Sequence, residues 1–185
     1  MIRQVIRGAT FRRDAYLRAV IGSNGTGDAV VIVAGVYVIL ALTISIRATT
    51  DVVGHARFVL NGGFAWLILS GIVYLIARHG FHGEGSFQGV VAMSALAHPV
   101  LVLLVLAQIG ETIPLTWHAQ PTLLPMSILD LGFPGAVVVI LTTMWFIGIL
   151  TAGTRVAMSL TLDRAIASVA GGYAAWWVIG SLLGL

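Results

Sequence analysis

The chain contains no cysteine, which excludes disulfides, thiolate metal centres and cysteine nucleophiles. It contains no lysine either, so all ten basic residues are arginine. Charge of either sign is scarce: 9% of the residues are charged, where a soluble domain carries about 25%. Catalytic and nucleotide motifs are missing too. There is no P-loop, no G-x-S-x-G, no H-E-x-x-H, and no pair of carboxylates within an apolar run. An enzyme is therefore disfavoured. A secondary transporter is expected to repeat its broken helices in two halves, and the chain shows no such repeat.

What is present is apolar. Of 185 residues 58% are hydrophobic, and the mean hydropathy is +1.00. The composition predicts an all-α, polytopic membrane protein with little soluble mass. The net charge of +3 does not point to nucleic acid, because the arginines lie along membrane edges and five of them crowd the first 18 residues. The all-arginine usage hints at a GC-rich prokaryotic genome and hence a cytoplasmic (inner) membrane.

About 20 apolar residues cross the hydrocarbon as a helix. Five segments meet that length, near 29–46, 58–77, 87–109, 134–153 and 165–184. Two units follow: a basic N-terminal segment, 1–28, and a five-helix transmembrane domain, 29–185. The first 28 residues lack the continuous apolar core and small-residue cleavage site of a signal peptide, so the first span is expected to stay. The loop 110–133 holds three prolines and Trp117, and 123–131 reads as a short surface helix.

Residues 2–21 fit an amphipathic helix lying on the membrane surface. Arg3, Arg7, Asp14 and Arg18 share one face, with Ile2, Val5, Ile6, Ala9, Tyr16, Leu17 and Val20 opposite. Arg13 falls on the apolar side and Phe11 on the polar side. Arg3, Arg7, Arg12, Arg13 and Arg18 are the residues expected to meet anionic lipid. With the N-terminus inside, the inner segments hold eight arginines and the outer ones two, Arg47 and Arg57. Short cytoplasmic loops carry the excess of positive charge, which predicts a cytoplasmic N-terminus and an outside C-terminus. Small residues four apart let helices approach closely. Gly148 and Ala152, Gly171 and Ala175, and Gly180 and Gly184 are such pairs, and they suggest packing within the bundle or between copies.

The third segment, 87–109, runs 23 residues without a formal charge, yet holds His98 and Pro99 near its middle. Pro99 has no N–H for the carbonyl of Ala95. An ionisable ring at that depth is rare and faces protein or water. One reading makes His98 the axial ligand of a porphyrin. The other four histidines, His55, His79, His82 and His118, fall in loops or span ends, so no second ligand sits at similar depth. The other reading is a neutral ring that bonds a backbone carbonyl and marks a kink. His79, His82 and Glu84 are spaced to hold a metal, but their loop supplies no fixed support, and they are read as membrane-edge residues. No cofactor or metal is expected. Ser86 is placed to cap the third helix.

Several segments together resemble the Yip family, the Ypt/Rab-interacting membrane proteins. Gly83-Glu84-Gly85-Ser86-Phe87-Gln88 is similar to the family's glycine-rich, Ser/Thr-aromatic entry to the third span. Ala95-Leu96-Ala97-His98-Pro99 resembles its small-residue-then-proline pattern, and Leu162-Asp163-Arg164-Ala165-Ile166 its Arg-Ala signature opening the last span. The order of a basic segment and five spans agrees. The resemblance implies a non-enzymatic role in organising or shaping membrane and recruiting protein partners, with Gly83, Gly85, Ser86, Phe87, Arg164 and Ala165 as motif residues. A homo-oligomer is compatible with it. The alternative is a small accessory subunit of a respiratory or photosynthetic complex, touching a pigment or haem through His98.

Overall fold

The computed structural model describes residues 2–21, 25–45, 52–107 and 132–183. Trp117, the 123–131 surface helix, Arg47, His118 and Gly184 lie outside these residues. Every regular element among them is helical: α1 Ile2–Ala9, α2 Arg13–Ile21, α3 Gly25–Ser45, α4 Val52–Leu75 with a π-helical extension Ile76–Gly80, α5 Phe87–Ala95, a 3₁₀ segment His98–Leu103, α6 Leu104–Ala107, α7 Phe133–Ala157 and α8 Leu162–Leu183.

Four of the spans are long and apolar enough to cross a membrane: Gly25–Thr43, Val52–Gly80, Phe87–Ala107 and Phe133–Ala157. These elements make a multi-pass membrane protein. The helices overrun the expected spans. α3 starts at Gly25 rather than Ala29, α4 at Val52 rather than Phe58, and α7 runs to Ala157 rather than Gly153. A helix continues past the hydrocarbon wherever polar residues such as His55 and Arg57 tolerate it. α8 is as long, but it opens on Asp163-Arg164 and carries Ser168, Gly171 and Gly172, so its described stretch falls short in apolarity.

The third span is the hub. α5 packs against α2, α3, α4 and α7, and the 3₁₀ segment against α3 and α7. Of its most apolar window 72% is buried, against 33% for α3, 33% for α4 and 39% for α7. Ser86 starts it by accepting the Gly89 N–H at 3.1 Å. Regular α-helix then stops at Ala95 and resumes at Leu104. Pro99 is the cause: it donates nothing, and its ring crowds the preceding turn. The tighter 3₁₀ geometry takes up the break. In hydrocarbon such a break is tolerated only where protein surrounds it, and here His98, Val100 and Leu101 are buried while Pro99, Val102 and Leu103 are half-buried.

The N-terminal segment corrects the expectation of a single helix over 2–21. It folds as two helices joined by a turn at Thr10-Phe11-Arg12. Thr10 Oγ1 lies 3.0 Å from the Ile6 carbonyl and 3.1 Å from that of Arg7, and Phe11 adopts φ 60°. Tyr16 Oη donates to the Gly8 carbonyl at 2.6 Å, tying α2 back to α1. Desolvation raises the Tyr16 phenol to about 12. The turn lies partway along the bundle and not at its end. Trp145 Nε1, midway along α7, donates to the Ala9 carbonyl at 2.9 Å, and a Cβ on Gly8 would come within 3.2 Å of Leu96. α2 packs between α5 and α7 and buries Ala15, Tyr16 and Ala19. Of the apolar face, Tyr16 is buried against the bundle, while Ile6 and Leu17 are 58% and 37% exposed. Contacts with α5 and α7 decide which side faces in.

Asp14 is the electrostatic clasp of this hairpin. It pairs with Arg18 one turn on and with Arg7 of α1 at 3.1 Å. The Arg18 hydrogen bond, helped by both positive charges against some desolvation, holds its carboxyl below the usual range. A depressed carboxylate contributes stability above its unfolded value, near 3.8, and loses it as pH falls through the lower folded value. Replacing Asp14 by Asn is expected to speed amide exchange across residues 7–18. Acidifying the parent chain below about 4 should reproduce that increase, while the variant stays insensitive to the same acidification.

Candidate functional site

His98 sits at the crossing of α3, α4, the third span and α7, and is 1% exposed. Its Nδ1 lies 3.1 Å from the Ser94 carbonyl. A carbonyl only accepts, so Nδ1 carries the proton and the neutral ring keeps its lone pair on Nε2. Three aromatic rings surround the imidazole: Phe146 at 5.4 Å between centroids, Tyr37 at 6.1 Å and Trp66 at 6.3 Å. Phe146 and Trp66 meet it edge-on. A porphyrin on Nε2 would have to displace these rings, so the residues present do not fit one.

A hydrogen-bonded cluster lies one turn below. Trp66 Nε1 donates to Ser94 Oγ at 2.8 Å, and the two hydroxyls of Ser70 and Ser94 are 2.7 Å apart. Ser70 Oγ also lies 2.8 Å from the Trp66 carbonyl, and Ser94 Oγ 2.9 Å from that of Val91. Each hydroxyl has one proton, so one serine serves a carbonyl while the other serves its neighbour. The spacing of Ser94 and His98, and of Trp66 and Ser70, is four residues in each case. That step was readable in the sequence; that the two pairs meet was not. Tyr37 is the exception in this region: its buried hydroxyl has no hydrogen-bond partner among the described residues.

The second arrangement lies where α4 ends, α5 begins and α7 turns into α8. Gly83 N–H donates to the Ala77 carbonyl at 2.9 Å, Glu84 N–H to the Met158 carbonyl at 3.1 Å, and Arg78 Nη1 to the Gly83 carbonyl at 2.7 Å. His82 and Ser159 take φ 55° and 54° on the two facing turns. A Cβ on Gly85 would overlap the Ala157 carbonyl oxygen, and one on Gly83 would come within 3.0 Å of Met158. These two glycines let the loop lie flat on the α7–α8 turn. Phe87 is 41% exposed and stacks edge-on against Tyr74 at 5.7 Å. Ala165 is fully buried, and the Arg164 carbonyl accepts Ser168 Oγ at 2.8 Å while its side chain is exposed. Thus the two motif segments share one end of the bundle. His79 and His82 are exposed there, and no three His, Asp or Glu side chains gather among the described residues.

The remaining residues disperse. Arg7 and Arg18 engage Asp14, and Arg12 and Arg13 are exposed; the Arg3 side chain lies outside what is described. Gly148 is covered by the Phe11 ring, 3.2 Å from where a Cβ would stand. Ala152 and Ala175 are half-buried, Gly171 is exposed, and Gly180 lies within α8. The helical glycines with the least room between spans are others: Gly62 faces the Tyr37 ring, Gly153 the Met93 side chain, and Gly172 Val73. A four-residue spacing finds small residues but does not say which one meets a neighbour.

No family model matches the chain, no curated protein matches it, and no solved structure matches it.

Replacing His98 by Leu removes the bond to the Ser94 carbonyl and should cost on the order of 1 kcal/mol, measured by unfolding in mixed micelles. Pro99→Ala supplies an N–H for the Ala95 carbonyl, a different acceptor, so its gain should not offset the loss at Ser94. Tyr37→Phe removes a hydroxyl that gains nothing, and should be neutral or stabilising by up to about 1 kcal/mol. Gly85→Ala should cost more than any of these, because the loop must leave the Ala157 carbonyl. Loss of the folded species in gel filtration, or a drop above about 2 kcal/mol, is the expected reading.

Proposed function

We propose that the chain is a non-enzymatic, membrane-embedded organising protein of the Yip-like type, which shapes bilayer and binds other membrane proteins through its outward faces. The observation that supports this reading is the closed interior. The third span is walled in, and its polar groups bond to one another: His98 to Ser94, and Ser94 to Trp66 and Ser70. The outward residues are apolar instead. Val30, Val31, Val38 and Leu42 on α3, Leu141 and Met144 on α7, and Trp177 and Val178 on α8 are all exposed. Large apolar faces on an otherwise packed molecule are where lipid or partner helices sit.

In this reading α8 is the fifth span, the N-terminus is cytoplasmic, the C-terminus is outside, and the membrane is a prokaryotic inner membrane. Eight inner arginines against two outer ones support the orientation. The motifs at Gly83–Phe87 and at Arg164-Ala165 support the family likeness. A homo-oligomer through the small-residue faces of α7 and α8 is part of the same proposal. The accessory-subunit alternative draws no support from His98, whose ring is enclosed by three others.

Reporter fusions after Arg18 and after Leu185 are expected to report opposite compartments. The same compartment for both would remove the five-span reading. Extraction in mild detergent should yield a colourless, small homo-oligomer with normal abundance of respiratory complexes in its absence. Co-migration with a redox-active assembly would favour the accessory-subunit role.

A further inference from the structure

We propose that a groove between α2, α7 and the start of α8 holds one anionic phospholipid. The cavity there is about 970 Å³, at the upper end of pockets that enclose small molecules, roughly 300–1,000 Å³. One wall is a single stripe of α7: Met144, Ile147, Gly148, Thr151, Ala152 and Arg155. From Met144 to Arg155 that stripe rises about 16 Å at 1.5 Å per residue. One leaflet of a bilayer is about 15 Å of hydrocarbon. The groove therefore has the length of an acyl chain and runs from mid-span to the helix end. Leu162 and Ile166 of α8, and Phe11 at the hairpin turn, complete apolar walls.

The charge comes from two arginines. Arg155 comes from the last turn of α7 and Arg13 from the first turn of α2, and both line the cavity. Neither makes an ion pair or a side-chain hydrogen bond among the described residues. No Asp or Glu lines the cavity. The nearest carboxylate in sequence, Asp14, is taken by Arg7 and Arg18. Glu84 meets this region through its backbone, which bonds Met158, and its side chain is not part of the lining. Ser159, held at φ 54°, adds an exposed hydroxyl to the lining. Two guanidinium groups with no acidic partner, in a groove whose apolar walls are about one leaflet long, match a phosphate headgroup with its acyl chains. The arrangement also accounts for Arg13 on the apolar side of the helical wheel: that position is where the groove needs its charge.

The inference rests on the bilayer reading of the chain, and not on the number or direction of its spans. The test is native mass spectrometry of the full chain purified in mild detergent. It is offered phosphatidylglycerol and phosphatidylcholine with identical acyl chains, at equal concentration. The expected result is a single retained lipid with a roughly tenfold preference for phosphatidylglycerol, the order that two arginines near an anionic group provide. Arg13→Gln with Arg155→Gln should abolish the preference. Arg47→Gln with Arg57→Gln, equal in charge and flanked by no lining residue, should keep it. Ala152→Trp leaves both arginines in place, fills the apolar wall and should release the lipid. Inorganic phosphate at millimolar concentration should not displace it. Equal retention of the two lipids by the parent chain would overturn the proposal. So would loss of preference in the Arg47/Arg57 pair, retention in Ala152→Trp, or displacement by phosphate. If the Arg13/Arg155 pair fails to fold, the parent competition and Ala152→Trp still decide. Failure of the bilayer reading would be seen separately, as a chain that stays soluble without detergent.

Discussion

A backbone carbonyl in hydrocarbon must find a donor within the protein. Pro99 makes that requirement acute, since it withdraws one donor from the middle of the third span. Its consequences run through the fold. The helix tightens to 3₁₀ over His98–Leu103, with His98, Val100 and Leu101 buried, and the span that contains it becomes the one that α2, α3, α4 and α7 all touch. His98 contributes an added donor to the Ser94 carbonyl, and Ser94 passes the network to Trp66 and Ser70 of α4. A polar cluster of this kind carries a modest energy in a membrane. Its larger effect is on register, because it fixes α4 against the third span at one height.

The second constraint is steric and sits at the bundle end that carries Arg78, Arg155 and Arg164. The loop 81–86 must cross the α7–α8 turn with backbone against backbone. Gly85 faces the Ala157 carbonyl and leaves no room for a side chain, while backbone bonds at Gly83 and Glu84 stitch the loop to α4 and to Met158. Two turns, each with a residue in the left-handed region, thus lock against each other. The glycines quoted for the family resemblance therefore have a packing reason of their own. That reason explains the residues without identifying a function.

The N-terminal hairpin connects these constraints to the membrane. α2 fills the space between α5 and α7 and is clasped by Asp14, Tyr16 and the Trp145 bond to Ala9. Its arginines are divided by this packing. Arg7 and Arg18 share the Asp14 carboxylate, while Arg13 reaches a groove that Arg155 shares. A segment that reads as an amphipathic surface helix packs along the bundle through α2.

The sequence by itself determined the class of the protein. Uncharged runs of membrane length, the near-absence of charge and the placement of Pro99 are local properties, and a bilayer acts on them through transfer energy and backbone bonding, residue by residue. For the same reason, the presence of four apolar spans and the cap at Ser86 were legible. Tertiary structure decided what depends on which faces meet. Nothing local brings Phe146, Tyr37 and Trp66 around His98, since they lie on three different helices. Nothing local selects Gly62, Gly153 and Gly172 over Gly148 and Gly171 for close approach. The break at Thr10-Phe11-Arg12 interrupts an otherwise acceptable helical pattern, because the Phe11 ring lies over Gly148 and the Ala9 carbonyl is bonded by Trp145, both in α7. Periodicity describes one helix in isolation, whereas burial is a property of pairs.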